Sequence, residues 1–128
     1  MTEIKRNLTA RYFSLEEILA KNDRSELFDL IQDPAKVANM QSLLCILDYL
    51  REEFGKPIII NSFYRASAHN FLVGGVKTSK HLIGAAVDIT SADFENLHQL
   101  VIHSVKHNWR VLPYINRKFL HLELLKYK

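Results

Sequence analysis

The chain has 128 residues, 48% of them apolar and 24% charged, with a net charge of +3. That length supports one good core rather than two, and the composition excludes disordered, collagen-like and coiled-coil proteins. No apolar run approaches the ~20 residues of a membrane span, and Met1 to Arg11 carry charges and no apolar signal-peptide core. The expectation is therefore a single domain over residues 1–128, made in the cytoplasm without a signal peptide. In chain order, Ser14-Leu15-Glu16-Glu17 has the form of a capping box and predicts a short helix ending near Asn22. Asp33-Pro34 reads as an N-cap with proline at the first helical position. Val37, Met40, Leu44, Leu47, Leu50 and Phe54 then recur at helical spacing before the stop at Gly55. Pro57 to Ser62 reads as a strand, Phe63 to Gly84 as irregular, and Ala85 to Ile89 as a second strand. A helix capped by Ser91 or Asp93 runs to about Asn108, with Phe94, Leu97, Val101 and Val105 inward. Arg110 to Ile115 and Phe119 to Leu125, flanking Asn116-Arg117, predict a closing antiparallel hairpin. Helices first and strands mostly later give an α+β fold, a small antiparallel sheet with helices packed on one side.

Charge is unevenly spread. Residues 1–64 hold eight Lys/Arg against ten Asp/Glu, and residues 65–128 hold nine against four. No run of consecutive Lys/Arg and no basic-aromatic pattern appears, so nucleic acid is not expected as a partner. The lone cysteine, Cys45, cannot form an internal disulfide.

After Ser62 the only carboxylates are Asp88, Asp93, Glu95 and Glu123, and two of them lie inside apolar strings. Asp88 sits in Ala85-Ala86-Val87-Asp88-Ile89, where an ionised group must be paired, hydrogen-bonded or metal-bound. Strand alternation puts Phe119, His121 and Glu123 on one face and Leu120, Leu122 and Leu124 on the other. His81 follows a glycine-rich stretch, seven residues before Asp88. Two histidines and a carboxylate form a usual ligand set for a catalytic zinc; a satisfied core histidine and a capping aspartate are the plainer alternatives. His98, His103 and His107 fall on the predicted helix without a third ligand and read as solvated.

Ser62-Phe63-Tyr64-Arg65, His69-Asn70, Val73-Gly74-Gly75-Val76 and Ser79-Lys80-His81-Leu82-Ile83-Gly84-Ala85-Ala86-Val87-Asp88-Ile89 follow one another in order. Together they resemble the signature of the zinc D-alanyl-D-alanine carboxypeptidase family, whose fold is shared with the hedgehog signalling domain. The Tyr12 to Glu17 and Gly55 to Ser62 segments are similar to small, often phage-associated members, and the likeness spans roughly residues 8–125. It implies one Zn2+ per chain on His81, Asp88 and His121, with Gly84 turning the backbone between two ligands. It implies that Arg65 holds a substrate carboxylate or carbonyl oxygen. Tyr64, Asn70 and Ser79 join the candidate substrate-binding residues, Tyr64 as a cleft-lining aromatic and Asn70 alternatively as a loop-closing amide.

The sequence departs from the family at one place. Many relatives carry a glutamate three residues before the last zinc histidine, or a histidine two before it; here these are Lys118 and Phe119. Neither can take a proton from water at neutral pH. Glu123 is the same-face carboxylate nearby, as proton carrier or as a residue orienting a ligand histidine. The resemblance implies a zinc peptidase cleaving peptidoglycan stem peptides, as carboxypeptidase or endolysin-type endopeptidase, acting on the cell wall after export or lysis. The alternative is a non-catalytic zinc- or stem-peptide-binding module of a phage or cell-wall assembly.

Overall fold

The computed structural model describes residues 8–128. Most of the segment read for a signal peptide, Met1 to Arg11, lies outside the described residues. Among the described residues, five α-helices and four strands follow in chain order: α1 Leu15–Ile18, α2 Arg24–Ile31, α3 Pro34–Phe54, β1 Ile59–Ser62, α4 Ser67–Leu72, β2 Ala86–Thr90, α5 Phe94–Ser104, β3 Trp109–Tyr114 and β4 Phe119–Leu124. Two 3-10 turns, Lys80–Ile83 and Ile115–Arg117, complete the set.

Local chemistry explains the boundaries. Ser14 and Glu17 close the expected capping box on α1, although the helix stops at Ile18, short of Asn22. Asn22 serves a longer-range contact instead, donating through Nδ2 to the Tyr64 carbonyl. Asp23 and Glu26 form a second capping box and open α2, an unexpected helix. α3 is the core helix, begun by Asp33 and Pro34 and ended by Gly55 in the left-handed conformation. Its Met40, Leu43, Leu44, Leu47 and Leu50 are fully buried. In α5, Phe94, Leu97 and Val101 face inward as the spacing requires, whereas Val105 lies at the C-cap and is exposed.

The sheet is antiparallel throughout, in the order β1-β2-β4-β3. Val87, Ile89, Leu120 and Leu122 turn toward α3 and join its leucines in one apolar cluster. The opposite face is left for polar chemistry. There, Asp88 pairs in register with His121 and Ala86 with Glu123. On the far side of β4, Leu112 pairs with His121, Arg110 with Glu123 and Tyr114 with Phe119. The fold is α+β with helices on one side of a small sheet, as expected.

The stretch Phe63 to Gly84 is more regular than the sequence suggests, containing α4 and a 3-10 turn. Glu26 fixes α4 from α2: its Oε2 accepts from the Ala66 amide at 2.8 Å and from His69 Nδ1 at 2.9 Å. The 3-10 turn ends at Gly84, with φ +73°. A Cβ there would lie 2.6 Å from the Lys36 carbonyl of α3. Gly84→Ala is therefore expected to cost about 1–3 kcal/mol of stability through left-handed backbone strain, with steric crowding added. A urea midpoint indistinguishable from that of the parent protein would refute this.

Candidate metal centre

Three elements bring the ligand candidates together. The central strands β2 and β4 supply Asp88 and His121 at directly opposed positions, and the 3-10 turn before β2 supplies His81. One ligand atom from each lies within 4.8 Å of the other two. His121 Nδ1 is 2.8 Å from Asp88 Oδ1, and His81 Nε2 is 3.3 Å from Asp88 Oδ2.

Each imidazole is oriented from behind. His81 Nδ1 donates to the Phe63 carbonyl at 2.6 Å, which points Nε2 at Asp88. His121 Nε2 lies 2.8 Å from Glu123 Oε1, which turns Nδ1 toward Asp88. Outer partners of this kind fix the tautomer and aim of metal-binding histidines. Two oriented imidazole nitrogens and one carboxylate oxygen are a donor set that suits zinc.

The electrostatics match this arrangement. Burial alone raises the Asp88 pKa, but hydrogen bonds from His121 and His81 prevail and hold it at about 2. Burial alone lowers the His121 pKa, yet the bonds to Asp88 and Glu123 prevail and raise it. Glu123 is opposed by burial in the same way and lowered by His121, Lys80 and Arg110. Its Oε2 meets Arg110 Nε at 2.9 Å and Lys80 Nζ at 3.1 Å. Sequence reasoning missed both cations; antiparallel register opposite Glu123 is the signal that could have found Arg110.

Arg65 enters from the loop after β1. Its Nε donates to Ser62 Oγ at 2.8 Å, Nη1 to Asn70 Oδ1 at 3.0 Å and Nη2 to Asp88 Oδ2 at 3.2 Å. Three of its five N–H groups are thus engaged, and the guanidinium plane is set. Asn70 is buried and uses both ends of its amide, donating through Nδ2 to the Val76 carbonyl. Gly75 lies directly against this pair: a Cβ would fall 2.0 Å from Asn70 Oδ1 and 3.0 Å from Arg65 Nη1. Ser79 caps the 3-10 turn by accepting from the His81 amide.

A cleft of about 710 Å³ opens over this face, lined by Arg65, Ser79, His81, Asp88, His121 and Glu123 among others. Tyr64 does not line it, contrary to expectation. Its side chain is fully buried, with Lys36 Nζ 5.2 Å from the ring centroid and 3.4 Å from the hydroxyl. The ring fills the core beside α3, so the role left to Tyr64 is packing.

The Peptidase M15 family model matches residues 11–123. The chain belongs to that family, the zinc D-alanyl-D-alanine carboxypeptidase-like metallopeptidases. No curated protein matches it. As an M15 peptidase the chain carries Lys118 and Phe119 next to its last candidate ligand. Lys118 is exposed in a left-handed conformation, φ 54°, and Phe119 lies against Tyr114 with ring centroids 4.6 Å apart. Among the described residues, no helix is long and apolar enough to cross a membrane.

Proposed function

We propose that this M15 peptidase binds one zinc through His81, Asp88 and His121 and cleaves peptidoglycan stem peptides, as a D-Ala-D-Ala carboxypeptidase or an endolysin-type endopeptidase. The observation carrying the proposal is the convergence of two oriented imidazole nitrogens on Asp88, beside a guanidinium whose plane is set. What zinc supplies when bound is Lewis acidity toward the scissile carbonyl and the attacking water.

The residues of the chain do the rest. Arg65 directs its remaining N–H groups at a substrate carboxylate or at the carbonyl oxygen as negative charge develops there. Asn70 and Gly75 act through Arg65, the first by bonding it and the second by leaving room. Ser79 keeps His81 in place by capping its turn. Glu123 holds the Nε2 proton of His121, and Lys80 and Arg110 keep that carboxylate ionised.

Purified peptidoglycan incubated with zinc-loaded protein should release stem-peptide fragments visible by mass spectrometry. Zinc binding without any fragment would favour a non-catalytic module of a phage or cell-wall assembly, a reading supported by Lys118 and Phe119 at the usual acid/base positions. Glu123→Gln separates its two possible roles. Orientation of His121 predicts about 10–100-fold losses in both metal affinity and turnover. Direct proton transfer predicts a loss of about 10²–10⁴-fold in turnover with metal affinity unchanged.

A further inference from the structure

The cleft holds five cationic side chains, Lys21, Arg65, Lys80, Arg110 and Arg117, against two carboxylates, Asp88 and Glu123. Neither carboxylate is free to balance the others. Asp88 is taken by Arg65, His81 and His121, and Glu123 by Lys80, Arg110 and His121. Among the described residues, Lys21 and Arg117 lie within 4.0 Å of no carboxylate, and zinc would add further positive charge.

Arg117 is also held in position. Its guanidinium carbon lies 5.2 Å from the centroid of Phe119, whose ring stacks on Tyr114 at an interplanar angle of 8°. Phe119 precedes His121 by two residues on the same strand and face, a spacing of about 6.5–7 Å. Two residues of an extended peptide span about the same distance. A cation stacked on an aromatic pair at that offset can meet a group two residues from the bond positioned beside His121. Arg65 has already committed three donors, so a second anion needs a second receptor.

We propose that Arg117, supported by Lys21, is a specificity-determining residue that selects peptides carrying a second free carboxylate about two residues from the scissile bond. This rests on the peptidase reading of the same cleft. The probes are two product-type tripeptides that offer no further D-alanyl bond to cut, acetyl-Glu-Gly-D-Ala and acetyl-Gln-Gly-D-Ala. Calorimetry at low salt with zinc-loaded protein should show the glutamate peptide binding about tenfold more tightly, with the preference shrinking as salt rises. In Arg117→Gln the two affinities should agree within about twofold, with zinc content and melting temperature unchanged, since Arg117 is exposed.

Equal affinities in the parent protein would overturn the proposal. So would a preference that survives in Arg117→Gln, or failure of both peptides to bind. Release of D-alanine from a peptide without the extra carboxylate tests the peptidase reading by itself. That activity without any preference for the acidic peptide would remove Arg117 from the site and leave the reading standing.

Discussion

His121→Ala is expected to abolish zinc binding and, with it, peptidase activity. The change removes one of three ligands and leaves Asp88 with His81 and Arg65 as its remaining partners in the cluster. Equilibrium dialysis followed by elemental analysis reads the metal, and fragment release reads the activity; metal retained after the substitution would sink the assignment. The parent protein should also show a definite pH dependence. In the metal-free protein the raised His121 pKa means that folding favours the imidazolium. That stabilisation is fully present below the unfolded value of about 6.5 and is lost as pH rises through the higher folded value. Zinc requires the Nδ1 lone pair, so uptake displaces the proton facing Asp88 and weakens by about tenfold per pH unit on the acid side. Calorimetry in buffers of different ionisation enthalpy should detect the released proton.

Arg65→Lys should lower kcat/KM by about 10²–10³-fold, the range for losing one oriented donor to a developing oxyanion, while zinc content stays unchanged. An ammonium keeps the charge, but it cannot span Ser62, Asn70 and Asp88 from one rigid plane. Gly75→Ala tests the same group from the other side. Its new methyl overlaps Asn70 and crowds Arg65 Nη1, so turnover should fall by at least about tenfold with metal binding intact. Full turnover in both variants, accompanied by a large drop in melting temperature, would make Arg65 a structural arginine.

The parts of the fold written in local sequence were legible. α3 declares itself through Asp33, Pro34, the spacing of its leucines and Gly55. Alternation in β4 correctly separates Phe119, His121 and Glu123 from the leucines between them. α2 was missed although Asp23 and Glu26 repeat the capping pattern of Ser14 and Glu17, because Leu27, Leu30 and Ile31 mark helical spacing over little more than one turn. α4 is too short to show a period, and its position depends on Glu26, forty residues before Ala66. The convergence of Asp88 and His121 was visible because polar residues inside apolar strings demand partners. Tyr64 was misplaced because a residue type carries no information about which way a loop turns its ring. The contacts that set Arg65 and Glu123 arise only from register and packing, so single positions could not disclose them.

Asp88 and His121 face each other across the inner pair of strands, with β1 and β3 outside them, and they are separated by 33 residues of sequence. That ladder cannot close until α5 and the terminal hairpin have been brought into place. Metal is therefore expected to join a chain that has already folded, unlike small zinc domains, whose folding awaits the ion. Chelation should strip the ion and leave amide-exchange protection in β2 and β4 largely intact. His81 is the one candidate ligand outside the ladder, carried by a four-residue turn. Exchange of a bound zinc with the medium is accordingly expected to follow local opening of that turn, which requires less free energy than global unfolding.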